Sequence, residues 1–327
     1  MRSTLRNFLV AVLLALSWAA SAAAADRIRL ALQKTGTGAW EVAVVKALGL
    51  DARADLDLVV TELANTDAGK IAIQSGAADI VISDWLWVAR QRGEGGRLTF
   101  YPHSAAIGAV MAKDKSIRDV GDLVGRKLGV AGGPLDKSWL LLRAYALRRG
   151  LDLETAATIV YGAPPLIAEK AAQGELDAAL VFWTFAADLE GRGLSRVIDM
   201  QEVETALGAK AAPIVTGYVF DEGFATSHGP ALGRFLAVAE KAKRLIATSD
   251  AAWKIAATRI GPKDAATLAI YRKRYVENIP TRSIEEERAD AAALYATLAE
   301  SGGKALVGKA TSLPAGTFYD AGPSAER

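Results

Sequence analysis

Four short segments carry the residues of this chain best suited to hold a small molecule. Lys34-Thr35-Gly36-Thr37-Gly38 and Gly132-Gly133-Pro134-Leu135-Asp136-Lys137-Ser138 are glycine-bearing loops that run into helical patterns. A helix start offers unpaired N–H groups and the positive end of the macrodipole, so such loops suit an anionic or polar group. Ser83-Asp84-Trp85 and Phe182-Trp183-Thr184 set polar groups beside an aromatic wall, a common make-up of small-molecule sites. Asn65 and Thr66 close a further strand, Trp40 sits in the first turn of a helix, and Tyr218 could reach a cleft with its hydroxyl. The candidate ligand-binding residues are therefore Lys34, Thr35, Gly36, Thr37, Trp40, Asn65, Thr66, Ser83, Asp84, Trp85, Gly133, Pro134, Asp136, Lys137, Ser138, Trp183 and Tyr218.

Each has a competing structural use. Capping the next helix is the stronger reading for Asp84, and packing in a core is the commoner fate of a tryptophan. Ligand charge stays open. Lys34, Lys137 and the helix starts suit an anion, Asp67, Asp84 and Asp136 an amine or a metal-bearing solute, and Trp85 and Trp183 a flat or apolar body. Catalysis has little to work with. The chain has two histidines, His103 and His228, and no cysteine, which argues against histidine or thiolate metal sites and against a catalytic triad. No metal and no cofactor are expected. The glycine loops lack both the dinucleotide fingerprint and the Gly-Lys-Ser/Thr of a phosphate-binding loop.

The elements that must position these segments follow a repeat. Gly76-Ala77-Ala78-Asp79-Ile80-Val81-Ile82 and Gly174-Glu175-Leu176-Asp177-Ala178-Ala179-Leu180 each follow an amphipathic helix, turn on the glycine and enter a buried strand. One unit repeated about a hundred residues apart predicts two similar α/β lobes, each a mainly parallel sheet flanked by helices. Ligands of open α/β sheets bind beyond the carboxyl ends of the strands, so the two strand-end loops would face each other. The pattern predicts strands at 27–33, 56–63, 78–83, 128–131, 158–161 and 178–180. Helices are predicted at 39–48, 68–75, 85–92, 139–149 and 165–173, and in a C-terminal run at 229–248, 250–260, 265–275 and 284–300. Extended runs at 104–112 and 213–220 bracket the middle lobe and predict a two-strand hinge between residues 26–106 plus 216–327 and residues 107–215. Residues 313–327 read as a tail draped over the surface.

The N-terminus sets the compartment. Arg2 and Arg6 precede an apolar stretch at 8–16, and Ser21-Ala22-Ala23-Ala24-Ala25 has the small residues of a signal-peptidase site. The stretch is short for a bilayer span, so residues 1–25 read as a cleavable signal peptide and the mature chain as periplasmic. The formal net charge is +2 with no dense basic patch, which excludes nucleic acid as an expected partner.

Together these residues resemble the periplasmic solute-binding proteins of ABC importers, in the nitrate/sulfonate/taurine and thiamine-precursor group. The segment Ile117-Arg118-Asp119-Val120-Gly121-Asp122-Leu123-Val124-Gly125-Arg126-Lys127-Leu128-Gly129-Val130 is similar to that family's lead-in to its second lobe, and 174–183 to its Gly-x-x-Asp-Ala strand ending at a cleft tryptophan. Thr184-Phe185 departs from the acidic residue and proline that many relatives carry there, and Asp136-Lys137 departs in the loop after the second lobe's first strand. The resemblance implies a two-lobed type II binding-protein fold. It implies a monomeric, non-catalytic receptor for a small molecule, an organic anion such as a sulfonate or carboxylate, delivered to an ABC permease in the inner membrane. An enzyme of precursor biosynthesis on the same fold, or a sensor subunit, is the alternative. The exported protein is expected to begin at Asp26. N-terminal sequencing checks this, and recovery of intact Met1 in the cytosol would refute it.

Overall fold

The computed structural model describes residues 25–211 and 213–321. The proposed signal peptide therefore lies, up to residue 24, outside the described residues, as does the last part of the tail. In chain order the elements are β1 (Asp26–Gln33), α1 (Thr37–Ala47), β2 (Leu56–Leu63), α2 (Thr66–Gln74), β3 (Ile80–Asp84), α3 (Trp85–Arg92), β4 (Leu98–Ser104) and β5 (Gly108–Ala112). There follow β6 (Lys127–Ala131), α4 (Lys137–Leu147), α5 (Leu153–Ala156), β7 (Thr158–Gly162), α6 (Pro164–Gln173), β8 (Ala178–Phe182), α7 (Trp183–Gly191), β9 (Ser195–Asp199) and α8 (Met200–Ala206). The chain closes with β10 (Thr216–Asp221), α9 (Glu222–Ser227), α10 (Gly229–Thr248), α11 (Asp250–Ala257), α12 (Ala265–Glu277) and α13 (Ile284–Val307).

The strands form two five-stranded mixed sheets of one topology. Their orders are β2-β1-β3-β10-β4 and β7-β6-β8-β5-β9. In each, the first three strands run parallel and the last two pair antiparallel. The strands that enter from the other sheet, β5 and β10, hold equivalent places. The extended run expected at 104–112 thus holds the end of β4 and the whole of β5, strands of two different sheets parted at 105–107.

The sequence repeat has a structural cause. Gly76 and Gly174 take φ values of +72° and +81°, a region open to glycine and costly for other residues. In the first copy the Asp79 carboxylate accepts from the Arg29 backbone N–H at 2.7 Å, and the Asp79 N–H donates to the Arg29 carbonyl at 2.8 Å. Asp177 does the same with Lys127, at 2.7 and 3.0 Å. Each aspartate therefore pins the start of its strand to the neighbouring parallel strand and is spent on the sheet.

The tail is not draped over the surface as far as residue 321. Phe318 forms a parallel bridge with Phe100, and Phe100 N–H donates to the Thr317 carbonyl while Tyr319 N–H donates to the Phe100 carbonyl, both at 2.8 Å. The Phe318 ring packs on Phe100 and Trp85, so apolar burial holds a segment that composition reads as loop. The C-terminal helices also reach both sheets: α12 packs against α7, and α13 against α3 and α4.

One ionic cluster is buried under the first sheet. The Glu41 carboxylate of α1 receives the Tyr275 hydroxyl at 2.9 Å and the Tyr218 hydroxyl at 3.2 Å, with His103 Nε2 at 3.0 Å and Lys243 Nζ at 3.6 Å. Burial alone pushes this carboxyl up, but the His103 and Lys243 charges and the hydrogen bonds from His103 and Tyr275 outweigh it and hold it at about 2. The stabilisation is complete above the unfolded value of 4.5 and is lost as pH falls toward about 2. Glu41→Gln is expected to cost about 3–5 kcal/mol at neutral pH, the cost of breaking a buried pair. The gap in melting temperature to the parent protein should narrow below pH 4.5. A gap that stays constant down to acid pH would show that the carboxylate is not the charged partner.

Candidate functional site

The carboxyl ends of the repeated strands meet where the chain passes between the sheets. Trp85 N–H donates to the Val215 carbonyl of one crossing at 3.3 Å, and Trp183 N–H to the Ile107 carbonyl of the other at 3.1 Å. Each strand-to-helix junction is thus tied to the crossing that leads into its own sheet, and a cavity of about 690 Å³ opens between the two junctions. Its lining includes Gln33, Thr35, Gly36, Thr37 and Gly38 at the end of β1, with Thr66, Ser83, Ser104 and Thr216 from the same sheet. The second sheet supplies Ile107, Lys137, Phe182, Trp183, Thr184 and Phe185.

Helix capping divides the junctions into two kinds. Asn65, Asp84 and Asp136 cap α2, α3 and α4 with their own side chains, accepting from Ala68, Trp87 and Ser138 N–H. Helix α1 starts at Gly36 and α7 at Phe182, and neither has a side-chain cap. Of their first-turn amides, Ala39 N–H donates to the Gly36 carbonyl and Trp183 N–H to the Ile107 carbonyl, while those of Thr37, Gly38 and Thr184 have no intrahelical acceptor; both starts line the cavity, one from each sheet. The positive ends of two macrodipoles therefore converge there. Among the described residues Lys137 is the one charged side chain of this lining. It is buried, and its Nζ lies 4.5 Å from the Phe182 ring centroid and 3.9 Å from Asp136 Oδ2. The Ser83 hydroxyl, also buried, has no hydrogen-bond partner. Apolar walls from Leu32, Ile82, Ile107, Phe182, Trp183 and Phe185 complete the space.

A second cavity shares Thr66 and Phe182 with the first and holds about 1490 Å³. Asn65, Asp84, Gly133, Pro134 and Asp136 line it with Asp67, Lys70, Trp87 and Arg90. Burial pushes the Asp136 carboxyl up; Lys137 beside it offsets part of this, and the Asp84 charge adds to it.

Of the candidate residues, Thr35, Gly36, Thr37, Thr66, Ser83, Lys137 and Trp183 line the first cavity, and Asn65, Thr66, Asp84, Gly133, Pro134 and Asp136 the second. Five line neither. Lys34 is exposed beyond the rim. Trp40 packs edge-on to Trp183 and Trp253 in the core. Trp85 is fully buried against Tyr295 and Phe318. The Tyr218 hydroxyl is taken by Glu41. Ser138 is buried behind the start of α4. For Trp40, Trp85 and Ser138 the reason is shared: a residue in the first turn of a helix points to the core as readily as to the cleft, and spacing does not say which. Gln33, Ser104, Thr184, Phe185 and Thr216 were not expected. Ser104 ends β4, where the strand-end rule applies, and Thr216 begins β10, which runs antiparallel and so starts beside the end of β3.

The family model described as NMT1/THI5 like matches residues 41–249, more than half of the chain. The chain belongs to the NMT1/THI5-like family. Among solved structures it is similar to the alkanesulfonate-binding protein SsuA from Xanthomonas axonopodis pv. citri bound to MOPS, at 17% identity and a TM-score of 0.70, covering 91% of this chain and 99% of that one. It is similar to the periplasmic aliphatic sulphonate binding protein SsuA from Escherichia coli, at 18% identity, a TM-score of 0.65 and coverage of 86% and 94%. It also resembles the periplasmic nitrate-binding protein NrtA from Synechocystis PCC 6803, at 11% identity, a TM-score of 0.55 and coverage of 70% and 65%. No curated protein matches the sequence. The two-sheet topology of this family member is thus that of two-lobed periplasmic binding proteins.

The two repeat tryptophans should respond differently to truncation. Trp85→Ala is expected to cost about 3–5 kcal/mol of stability, as loss of a large core side chain does, with the affinity of the folded fraction unchanged. Trp183→Ala should weaken ligand binding by about tenfold or more, as loss of a buried aromatic anchor does. Denaturant melts and titrations on both variants check this. An affinity loss in folded Trp85→Ala would return that ring to the site.

Proposed function

We propose that this family member is a periplasmic receptor that captures a small organic anion between two lobes and presents it to an ABC-type permease. One observation carries the reading. Two helix starts without side-chain caps, one from each sheet, converge with buried Lys137 on a cavity whose remaining walls are hydroxyls, the Gln33 carboxamide and apolar groups. A carboxylate or sulfonate head would accept from the Thr37, Gly38 and Thr184 amides at the starts of α1 and α7 and pair with Lys137, while its carbon body lies against Phe182, Trp183 and Phe185. Neither His103 nor His228 lines this cavity, so no imidazole base stands beside a bound solute.

The same geometry suggests how binding drives closure. Residues 26–106 with 216–327 supply one half of the contacts and residues 107–215 the other, so the closed form is favoured by whatever touches both. Structural neighbours that are transport binding proteins support this reading, and so does a chain with no helix long and apolar enough to span a membrane among the described residues.

A thermal-shift screen of alkanesulfonates and alkanoates against alkylamines tests it. Anions are expected to raise the melting temperature, by the equivalent of about 2.7 kcal/mol at a hundred times the dissociation constant. Lys137→Met should weaken that binding by about tenfold or more, the worth of one charge-assisted contact. Stabilisation by amines and not by anions would overturn the assignment.

A further inference from the structure

We propose that Glu41 is the positioning residue of this cleft, fixing cavity walls that belong to both sheets while lining none of the cavity itself; the inference rests on the binding reading above for the purpose of that cavity. Glu41 lies one turn into α1, downstream of the Thr35–Gly38 wall. Its four partners come from four other elements: His103 from β4, Tyr218 from β10, Lys243 from α10 and Tyr275 from α12. Two of these adjoin cavity residues. His103 immediately precedes Ser104, and Tyr218 stands two residues beyond Thr216. One carboxylate thereby fixes three wall segments of the first sheet.

The fourth partner extends the hold across the cleft. One turn before Tyr275, Tyr271 donates its hydroxyl to the Thr184 carbonyl of α7 at 2.7 Å. Arg274, the residue before Tyr275, grips Glu190 of α7 at 2.8 and 2.9 Å. Trp40, next to Glu41, sets its ring 5.5 Å from Trp183 and 5.8 Å from Tyr271. Helix α12 is therefore a strap that joins the Glu41 cluster to the α7 wall, which carries Trp183, Thr184 and Phe185. Stability gives no reason for a carboxylate at this position, because apolar residues of similar volume commonly replace a buried ionic cluster without loss. Directional contacts of fixed length do give one. They hold α1 at one depth and rotation, and with it the amides at its start, to a tolerance that apolar packing does not enforce.

The test compares Glu41→Gln and Tyr275→Phe with Ile246→Ala, a truncation in the same core on α10. Hydrogen–deuterium exchange of the ligand-free proteins is read at equal global stability, set by urea, and butanesulfonate is titrated into each. Both cluster variants should raise exchange across 183–191 by about tenfold and weaken butanesulfonate to a similar degree, the effect of losing one buried hydrogen bond. Ile246→Ala should leave both within twofold, as an ordinary core truncation read at matched stability does. If Glu41→Gln fails to fold, Tyr275→Phe carries the comparison, since it removes one hydroxyl and keeps the ring. Increases confined to α1 and α12, or matched by Ile246→Ala, would overturn the proposal. Failure of the parent protein to bind butanesulfonate would count against the anion reading alone, because the exchange across 183–191 decides the positioning role without any ligand.

Discussion

The backbone bonds from Trp85 to Val215 and from Trp183 to Ile107 are the constraint on which the site depends. Two sheets of one topology each place the incoming strand beside the strand of the Gly–Asp repeat. The chain arriving from the other sheet therefore meets, just before its strand begins, the junction that opens a helix in the sheet it enters. This geometry needs no side chain, so it tolerates wide sequence variation and is consistent with structural likeness at 11–18% identity. It also brings the carboxyl ends of β1, β3, β6 and β8 to one place, which is where open α/β sheets bind their ligands.

Given that convergence, capping decides which junctions are available. A carboxylate or carboxamide at the cap satisfies the first-turn amides internally, as Asp84 and Asp136 do. Such a helix start has little left to offer an anion. Gly36 and Phe182 supply no side-chain cap, so the amides of Thr37, Gly38 and Thr184 stay open, and the dipole of each helix then acts on whatever fills the cavity. The division also places the acidic caps in the second cavity, where Lys70 and Arg90 face them, and, among the described residues, leaves Lys137 without a carboxylate in the lining of the first.

Much of this was legible in the sequence, and the parts that were not have physical reasons. The parallel halves of both sheets show as buried runs bounded by glycine turns, and the repeat marks their common topology. The stretch 183–206, by contrast, folds as α7, β9 and α8 although its pattern carries no sustained period: α7 is buried on several sides by α6, α12 and β5, so it lacks a polar face. The tail departs from its sequence reading because Phe318 and Tyr319 anchor it, against Phe100 and Phe220, and two adjacent aromatics near prolines and glycines give no periodic signal. The tryptophans show the sharper limit. Trp85 and Trp183 occupy equivalent places in the repeat and make equivalent backbone bonds, yet one ring meets Tyr295 and Phe318 and the other Trp40 and Tyr271. Their fates are set by helices far along the chain.

The two lysines of the candidate loops make the same point in electrostatic terms. Lys34 and Lys137 both stand in glycine-bearing loops near a helix start, and sequence ranks them together. In the structure Lys34 is exposed while Lys137 is buried over Phe182. At about 4 Å a unit charge pair is worth about 1 kcal/mol in water and about 4 kcal/mol at the lower effective dielectric near a protein. Only the second value exceeds what salt screening and side-chain freedom remove from an exposed pair. Burial, not loop chemistry, therefore makes Lys137 the cation of the cleft. Burial there is a property of how the two sheets close on each other, so ligand charge becomes readable only once both sheets are in place.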